Sequence, residues 1–117
     1  MRPLIKNYVA EDATEQYLIA KQGTADYQSL KSGAAATNSL GVVCQPGEVA
    51  IGDRMDVVIL GEAEVLCAGN INAGKSFTAD ADGKAVAANA TERAVGIVLE
   101  AGAATRIVRC LVVPHTA

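Results

Sequence analysis

The chain has 117 residues, room for one domain, with 10 basic and 13 acidic residues and a formal net charge of -3. Its basic residues are scattered and have no aromatic residues interleaved among them, which argues against nucleic acid, because phosphate neutralisation requires clustered Lys and Arg. No apolar run approaches the ~20 residues of a membrane span, and polar residues interrupt the apolar N-terminal stretch too early for a signal peptide, so we expect synthesis in the cytoplasm.

The first forty residues carry weak secondary-structure signals. Residues 1–15 mix isolated apolar residues with a polar stretch and predict an extended arm with little structure of its own. Residues 16–21 (QYLIAK) predict a short strand, and residues 32–41 (SGAAATNSLG) predict a loop. A helix over parts of residues 24–36 is the alternative.

From residue 40 onward the sequence is typical of β-structure. Asp82-Gly83 is a strong signal for a β-hairpin. Short strands punctuated by glycine predict an all-β fold, a small β-barrel or β-sandwich-like domain, for residues 16–117. The predicted strands lie in LGVVC, VAIGDRMDVVILG, EAEVLCA, KSFTAD, KAVAA, AVGIVLE and TRIVRCLVV.

Three of these strands are apolar on both faces, at residues 57–60, 97–99 and 110–113. In a lone antiparallel sheet one face is polar and meets water. Both faces of these strands therefore need cover, one from the core and the other from a neighbouring subunit or an overlying segment. Aromatic residues make up only 3% of the chain, so the core is built from branched aliphatics, and self-association is expected.

Residues 69–76 (GNINAGKS) fit the phosphate-loop pattern GxxxxGKS/T. That loop works because a helix begins at the Lys-Ser pair and presents its N–H groups to the phosphates. Here an alternating stretch from Ser76 runs into the turn at Gly83, which leaves no room for a helix. We interpret the match as accidental, with Ser76 beginning a strand, and predict neither a nucleotide cofactor nor catalysis.

The three cysteines, Cys44, Cys67 and Cys110, are far apart in sequence and lie in or beside apolar runs. No CxxC pair exists, and the chain has one histidine. The pattern predicts buried free thiols and argues against a zinc site.

Other candidate catalytic pairs are equally weak. His115 lies two residues from the end of the sequence, where chains tend to fray. Glu62 and Glu64 share one face of a strand, which is typical of a solvated edge. Arg106 and Arg109 are predicted on opposite faces of the last strand, so they do not form one anion clamp.

Residues 57–113 contain an ordered set of motifs: G-x-A-E-V, I-x-A-G, F-T-A-D-x-x-G-K-A-V, A-V-G-I-V-L-E-A and V-x-x-L-V-V. In this order they resemble the capsid decoration (cement) proteins of tailed phages of the DUF2190 type. The resemblance implies a compact β-barrel-like domain that forms a homotrimer on the outer surface of an icosahedral head. It also implies binding to the major capsid protein at threefold or quasi-threefold positions, stabilisation of the expanded shell, and no catalytic residues or cofactors.

The N-terminal segment is the predicted capsid contact. An extended arm adds a strand to an exposed sheet edge of a partner through main-chain hydrogen bonds, and a trimer multiplies weak contacts through effective concentration. The predicted contact residues are Pro3, Leu4, Ile5, Tyr8 and Val9. A disordered terminus is the alternative for this segment. For the whole chain the alternatives are another β-rich virion component, such as a head fibre base or a tail part, a nucleotide-binding protein through GNINAGKS, or a small β-barrel carrier or adaptor of bacterial origin.

Overall fold

The computed structural model describes residues 3–34 and 38–117, and these residues form strands and turns with no helix. The predicted all-β fold is confirmed. None of the described residues forms a helix long and apolar enough to cross a membrane. The strands are β1 (Leu4–Ala10), β2 (Thr14–Glu15), β3 (Ile19–Gln22), β4 (Gln28–Lys31), β5 (Ser39–Val43), β6 (Glu48–Val49), β7 (Arg54–Leu66), β8 (Ser76–Ala79), β9 (Ala85–Ala87), β10 (Arg93–Val98) and β11 (Ile107–Thr116).

Five strands close into a barrel. Their order is β1-β4-β3-β5-β7, and β1 also pairs with β7 to complete the circle. The β1–β4 pairing is parallel, and the other neighbours are antiparallel. Strand β5 approaches β7 closely at Gly41, where an added Cβ would lie 2.8 Å from the carbonyl carbon of Val58. A side chain does not fit this gap, so glycine allows the two strands to pair.

The remaining strands extend from the second half of β7. Residues 61–66 pair with β11, and the sheet continues through β10 and β8 to β9. Gly61 lies where the partner of β7 changes from β1 to β11, and its φ is 108°. Glycine adopts this conformation at little cost. An isolated bridge between Cys67 and Ala85 brings β9 back to the end of β7. Because β7 pairs with β1 and β5 in the barrel and with β11 beyond it, this strand belongs to both halves of the fold.

The buried side chains form two clusters, one within the barrel and a larger one that joins Ile19, Val42 and Val58 of the barrel strands to the second half of the fold. Phe77 is the largest of the fully buried side chains and belongs to the larger cluster. Its neighbours are mostly valine, alanine and cysteine, which agrees with the thin aliphatic core expected from the composition. The barrel cluster contains Tyr8, Ala10, Ala20, Val43, Val49, Met55 and Val57. The larger cluster contains Ile19, Val42, Val58, Val65, Cys67, Ile71, Phe77, Ala79, Ala85, Val95, Val98, Val108, Cys110 and Val112.

The N-terminal segment is extended, as predicted, but it is part of the barrel. Residues Leu4–Ala10 form β1, in which Leu4 to Val9 pair with Leu60 to Arg54 of β7. The expectation of little structure of its own is therefore wrong for these residues. The reason is that their partner strand lies about fifty residues further along the chain, so no local pattern reveals the pairing.

Two further expectations for the first forty residues are revised. The alternative of a helix within residues 24–36 is wrong for Gln28–Lys31, which form β4 between β1 and β3. The loop predicted over residues 32–41 ends earlier, because Ser39 begins β5. Its central residues 35–37 lie outside the described part of the chain.

Candidate interaction surface

Ser76 of the phosphate-loop match begins a strand, as predicted. Ser76–Ala79 form β8, which pairs with β9 in a hairpin whose turn contains Gly83 at a φ of 79°. The Asp80 carboxylate closes this turn by accepting hydrogen bonds from the N–H groups of Asp82 (2.8 Å) and Lys84 (2.9 Å). Lys75 therefore stands before an extended strand, without the helix N-terminus on which phosphate binding depends.

We expect Mg-ATP to leave the thermal stability of the protein unchanged. A ligand at free concentration c that binds only the folded state stabilises it by RT ln(1 + c/Kd) and so raises the melting temperature. Residues 69–76 offer no helix N-terminus whose N–H groups could bind a triphosphate. The measurement is a thermal-shift titration into millimolar Mg-ATP, with a Lys75→Ala variant alongside. Stabilisation that disappears in this variant would contradict the prediction.

The prediction of buried free thiols is confirmed for Cys67 and Cys110, while Cys44 is half-buried. Burial, together with the neighbouring Cys67, raises the pKa of Cys110 to about 12. Burial also raises the pKa of Cys67, and burial and the nearby carboxylate of Asp56 raise that of Cys44. These thiols are protonated at neutral pH and are poor nucleophiles. Among the described residues, no group of three or more His, Cys, Asp or Glu is placed to hold a metal ion.

His115 is held in place, contrary to the expectation of a frayed end. Strand β11 continues to Thr116, and the N–H of Thr91 donates to the carbonyl of Ala117 over 2.8 Å. The imidazole Nδ1 bonds to the Val113 carbonyl at 2.7 Å, and Nε2 lies 2.8 Å from Ser76 Oγ. This contact ties β8 to β11 across the intervening β10. No local signal in the sequence identifies it, because the two residues are 39 positions apart.

The predicted capsid-contact residues divide into an exposed and a buried group. The side chains of Leu4 and Ile5 are 54% and 46% exposed, and Pro3 is half-buried beside them. Val9 is half-buried, and Tyr8 packs in the barrel cluster, so its ring is not available to a partner. The exposed members therefore lie at the start of β1. With Leu60, which is 48% exposed and pairs with Leu4, they form an N-terminal patch of Pro3, Leu4, Ile5 and Leu60.

A second apolar surface covers the outer face of the sheet formed by β10 and β11. Strand β11 alternates from Ile107 onward, with Val108, Cys110 and Val112 in the core and the intervening side chains pointing outward. This explains why residues 97–99 and 110–113 are apolar on both faces. Within the described residues, other side chains cover only the inner face of β10 and β11, and the outer face is left open to solvent. We call the outer surface the β10–β11 face. Its apolar side chains are Ile97, Leu99, Ile107, Leu111 and Val113, and Arg109 lies among them.

A cleft of about 380 Å³ lies beside the N-terminal patch. The buried residues Val43 and Val58 are among its lining residues, and Glu62 and Glu64 are exposed at its rim. The two glutamates are solvated, as their spacing predicted. Across the strand from Glu64, Arg109 also reaches the rim. The cleft is lined by Pro3, Ile5, Gln16, Tyr17, Val43, Cys44, Val58, Glu62, Ala63, Glu64 and Arg109.

Arg109 already forms an ion pair with Glu100 through its guanidinium. Its backbone N–H and its Nε donate to Glu100 Oε1 at 2.9 and 3.4 Å, and these bonds lower the pKa of Glu100. Arg106 lies just before β11, where its N–H donates to the carbonyl of Ala103. The structure therefore assigns Arg109 to an ion pair at the surface of the sheet.

The whole fold has a counterpart among solved structures. The chain is similar to the crystal structure of the N base of the head fibre protein gp8.5 of bacteriophage phi29, with a TM-score of 0.73 and 18% sequence identity. The match covers 99% of this chain and 98% of that one. At this identity the similarity shows a shared fold. The sequence matches no protein-family profile and no curated protein sequence.

Proposed function

We propose that the chain is a non-catalytic structural protein of a tailed-phage virion, bound to the outer surface of the head. The observation that carries the proposal is the fold, which is shared over almost the full length of both chains with the base of a phage head fibre. The motif order in residues 57–113 leads to the same class of protein through the resemblance to decoration proteins of the DUF2190 type. In this role the partner is the major capsid protein, with no nucleic acid, membrane or cofactor involved.

We further propose that the protein binds as a homotrimer at threefold or quasi-threefold positions and stabilises the expanded shell. The uncovered β10–β11 face supports association between copies, because exposed apolar side chains on a sheet gain free energy when a neighbour covers them. Three copies on a threefold position also bind together with higher avidity than one copy alone.

The similarity to gp8.5 favours a second candidate function, the base of a head fibre. The two functions differ in what the shell gains from the protein. A cement protein stabilises the shell, so heads that lack it lose their DNA at lower temperature. A fibre base serves as an attachment point, so its absence leaves that temperature unchanged and removes a projecting fibre.

We propose that the capsid contact lies at the start of β1. Strand β7 pairs with Leu4–Val9 on one side, whereas β4 reaches only Val9 and Ala10 on the other. Within the described residues, Leu4–Tyr8 therefore present one strand edge without a partner strand. An extended capsid segment pairing with this edge would form main-chain hydrogen bonds and cover the exposed side chains of Leu4 and Ile5.

We expect the double substitution Leu4→Thr and Ile5→Thr to weaken binding to purified heads by at least about tenfold. Each change removes apolar surface whose burial contributes about 1 kcal/mol, and about 1.4 kcal/mol corresponds to a factor of ten. Threonine retains the preference for a strand. The measurement is co-sedimentation with expanded heads of the phage that encodes the chain.

The matched control is Ile51→Thr, which changes an apolar side chain that is 70% exposed in the turn before β7. It should bind heads like the wild type. Equal binding by the double variant and the wild type would exclude the N-terminal patch as the contact. A wild-type protein that does not sediment with heads would contradict the proposed function itself.

A further inference from the structure

The cleft beside the N-terminal patch has the construction of a binding site. Ligand sites are typically concave and mostly apolar, with a few placed polar groups and a volume of roughly 300–1,000 Å³. Here the side chain of Val43 packs in the barrel cluster. The apolar lining is supplied by Val58 and the half-buried Cys44, in a cleft of about 380 Å³. This volume suits one apolar side chain together with the backbone that carries it.

The rim of the cleft is negatively charged. Glu62 and Glu64 are exposed, and neither carboxylate makes a hydrogen bond or an ion pair with a residue that the structure describes. Among the described residues that line the cleft, Arg109 is the one cation, and it is paired with Glu100. The cleft therefore favours a positively charged partner group.

Tyr17, which lines the cleft, has an unusual backbone conformation. Tyr17 has a φ of 75°, in a region that residues other than glycine seldom occupy. Its N–H donates to the Val43 carbonyl at 3.0 Å, and its carbonyl accepts from the N–H of Leu66 at 3.0 Å. Two backbone hydrogen bonds, to β5 and to β7, thus hold Tyr17 in place beside the cleft.

We propose that the cleft binds a short segment of another virion polypeptide in which an apolar residue is followed by Lys or Arg. The apolar side chain packs on Val58 and Cys44, and the cation pairs with Glu62 and Glu64. The inference rests on the proposed function and names the chemistry of one contact within it. It adds a pocket for a side chain to the strand edge at the start of β1, since Pro3 and Ile5 belong to both surfaces.

The test uses the complete protein and a defined probe. N-acetyl-leucyl-arginine amide is titrated into ¹⁵N-labelled protein and followed by NMR, with N-acetyl-leucyl-glutamine amide as the neutral comparison. We expect saturable shifts at the amides of residues 16–17, 43–44 and 62–64, with the arginine probe binding about fivefold more tightly than the glutamine probe. In the variant Glu62→Gln/Glu64→Gln this preference should disappear.

The control variant is Glu48→Gln, which removes an exposed carboxylate of β6 that does not line this cleft. It should keep the fivefold preference. Equal binding of both probes to the wild type, or shifts scattered away from the cleft, would overturn the proposal. Shifts of the same amides on raising the protein concentration alone, without a response to the probe, would assign the cleft to a second copy and also overturn it. Head binding is measured separately, so a failure here is distinguishable from a failure of the proposed function.

Discussion

The variant Gly41→Ala is expected to lose more than about 3 kcal/mol of folding free energy, beyond the usual cost of overpacking a core. A Cβ at this position would meet the carbonyl group of Val58, with the carbonyl carbon at 2.8 Å and the oxygen closer still. The obstacle is backbone, so no change of rotamer relieves it. Strand β5 would have to separate from β7, and their pairing is one of the links that close the barrel.

The measurement is urea unfolding of the variant and of a matched control, Gly69→Ala. A Cβ at Gly69 meets nothing within 4 Å, and this glycine is not in the left-handed region. The control should stay within about 0.5 kcal/mol of the wild type. If Gly41→Ala unfolds at the same urea concentration as the control, the close approach of β5 to β7 is not a feature of the folded protein.

The variant Phe77→Ala is expected to destabilise the protein by about 3–5 kcal/mol, the usual cost of removing a buried aromatic side chain. Phe77 is fully buried and is the only phenylalanine of the chain. Its neighbours are small, so the space it leaves is not readily refilled. Since single domains are stable by only about 5–15 kcal/mol, the variant should unfold at a much lower temperature.

A milder variant and a control keep this test decisive if the alanine variant does not fold. Phe77→Leu leaves a smaller space and should lose less stability than Phe77→Ala, while Ile51→Ala, at an exposed turn, should change it by at most about 0.5 kcal/mol. The measurement is calorimetric or urea unfolding of all three. A loss from Phe77→Ala no larger than that from Ile51→Ala would show that β8 does not pack in the core.

The parts of the fold that the sequence predicted depend on neighbouring residues. The hairpin of β8 and β9 is an example, because the alternation after Ser76 and the turn at Gly83 lie within a few residues of each other. Gly61 shows where a local signal misleads. A glycine between two apolar segments indicates a break, yet the structure has one strand, Arg54–Leu66, through it. The glycine lies at a change of partner strand, and the pairing on either side keeps the chain extended.

The parts that the sequence did not predict depend on residues far apart along the chain. The burial of Tyr8 follows from the register of β1 with β7, and the position of His115 follows from β11 pairing with β10. The cleft combines the N-terminal segment, the turn between β2 and β3, the end of β5 and the middle of β7 with Arg109 of β11. The spacing of Glu62 and Glu64 correctly indicated a solvated face. Their spacing did not indicate that the cleft lies beside them.

The most direct measurement of the proposed function is a cryo-electron microscopy reconstruction of heads of the encoding phage, with and without the protein. We expect additional density on the outer surface of the shell, at threefold or quasi-threefold positions, into which the barrel fits with the start of β1 toward the major capsid protein. Identical reconstructions, or density confined to the tail or to the interior of the head, would contradict the proposal.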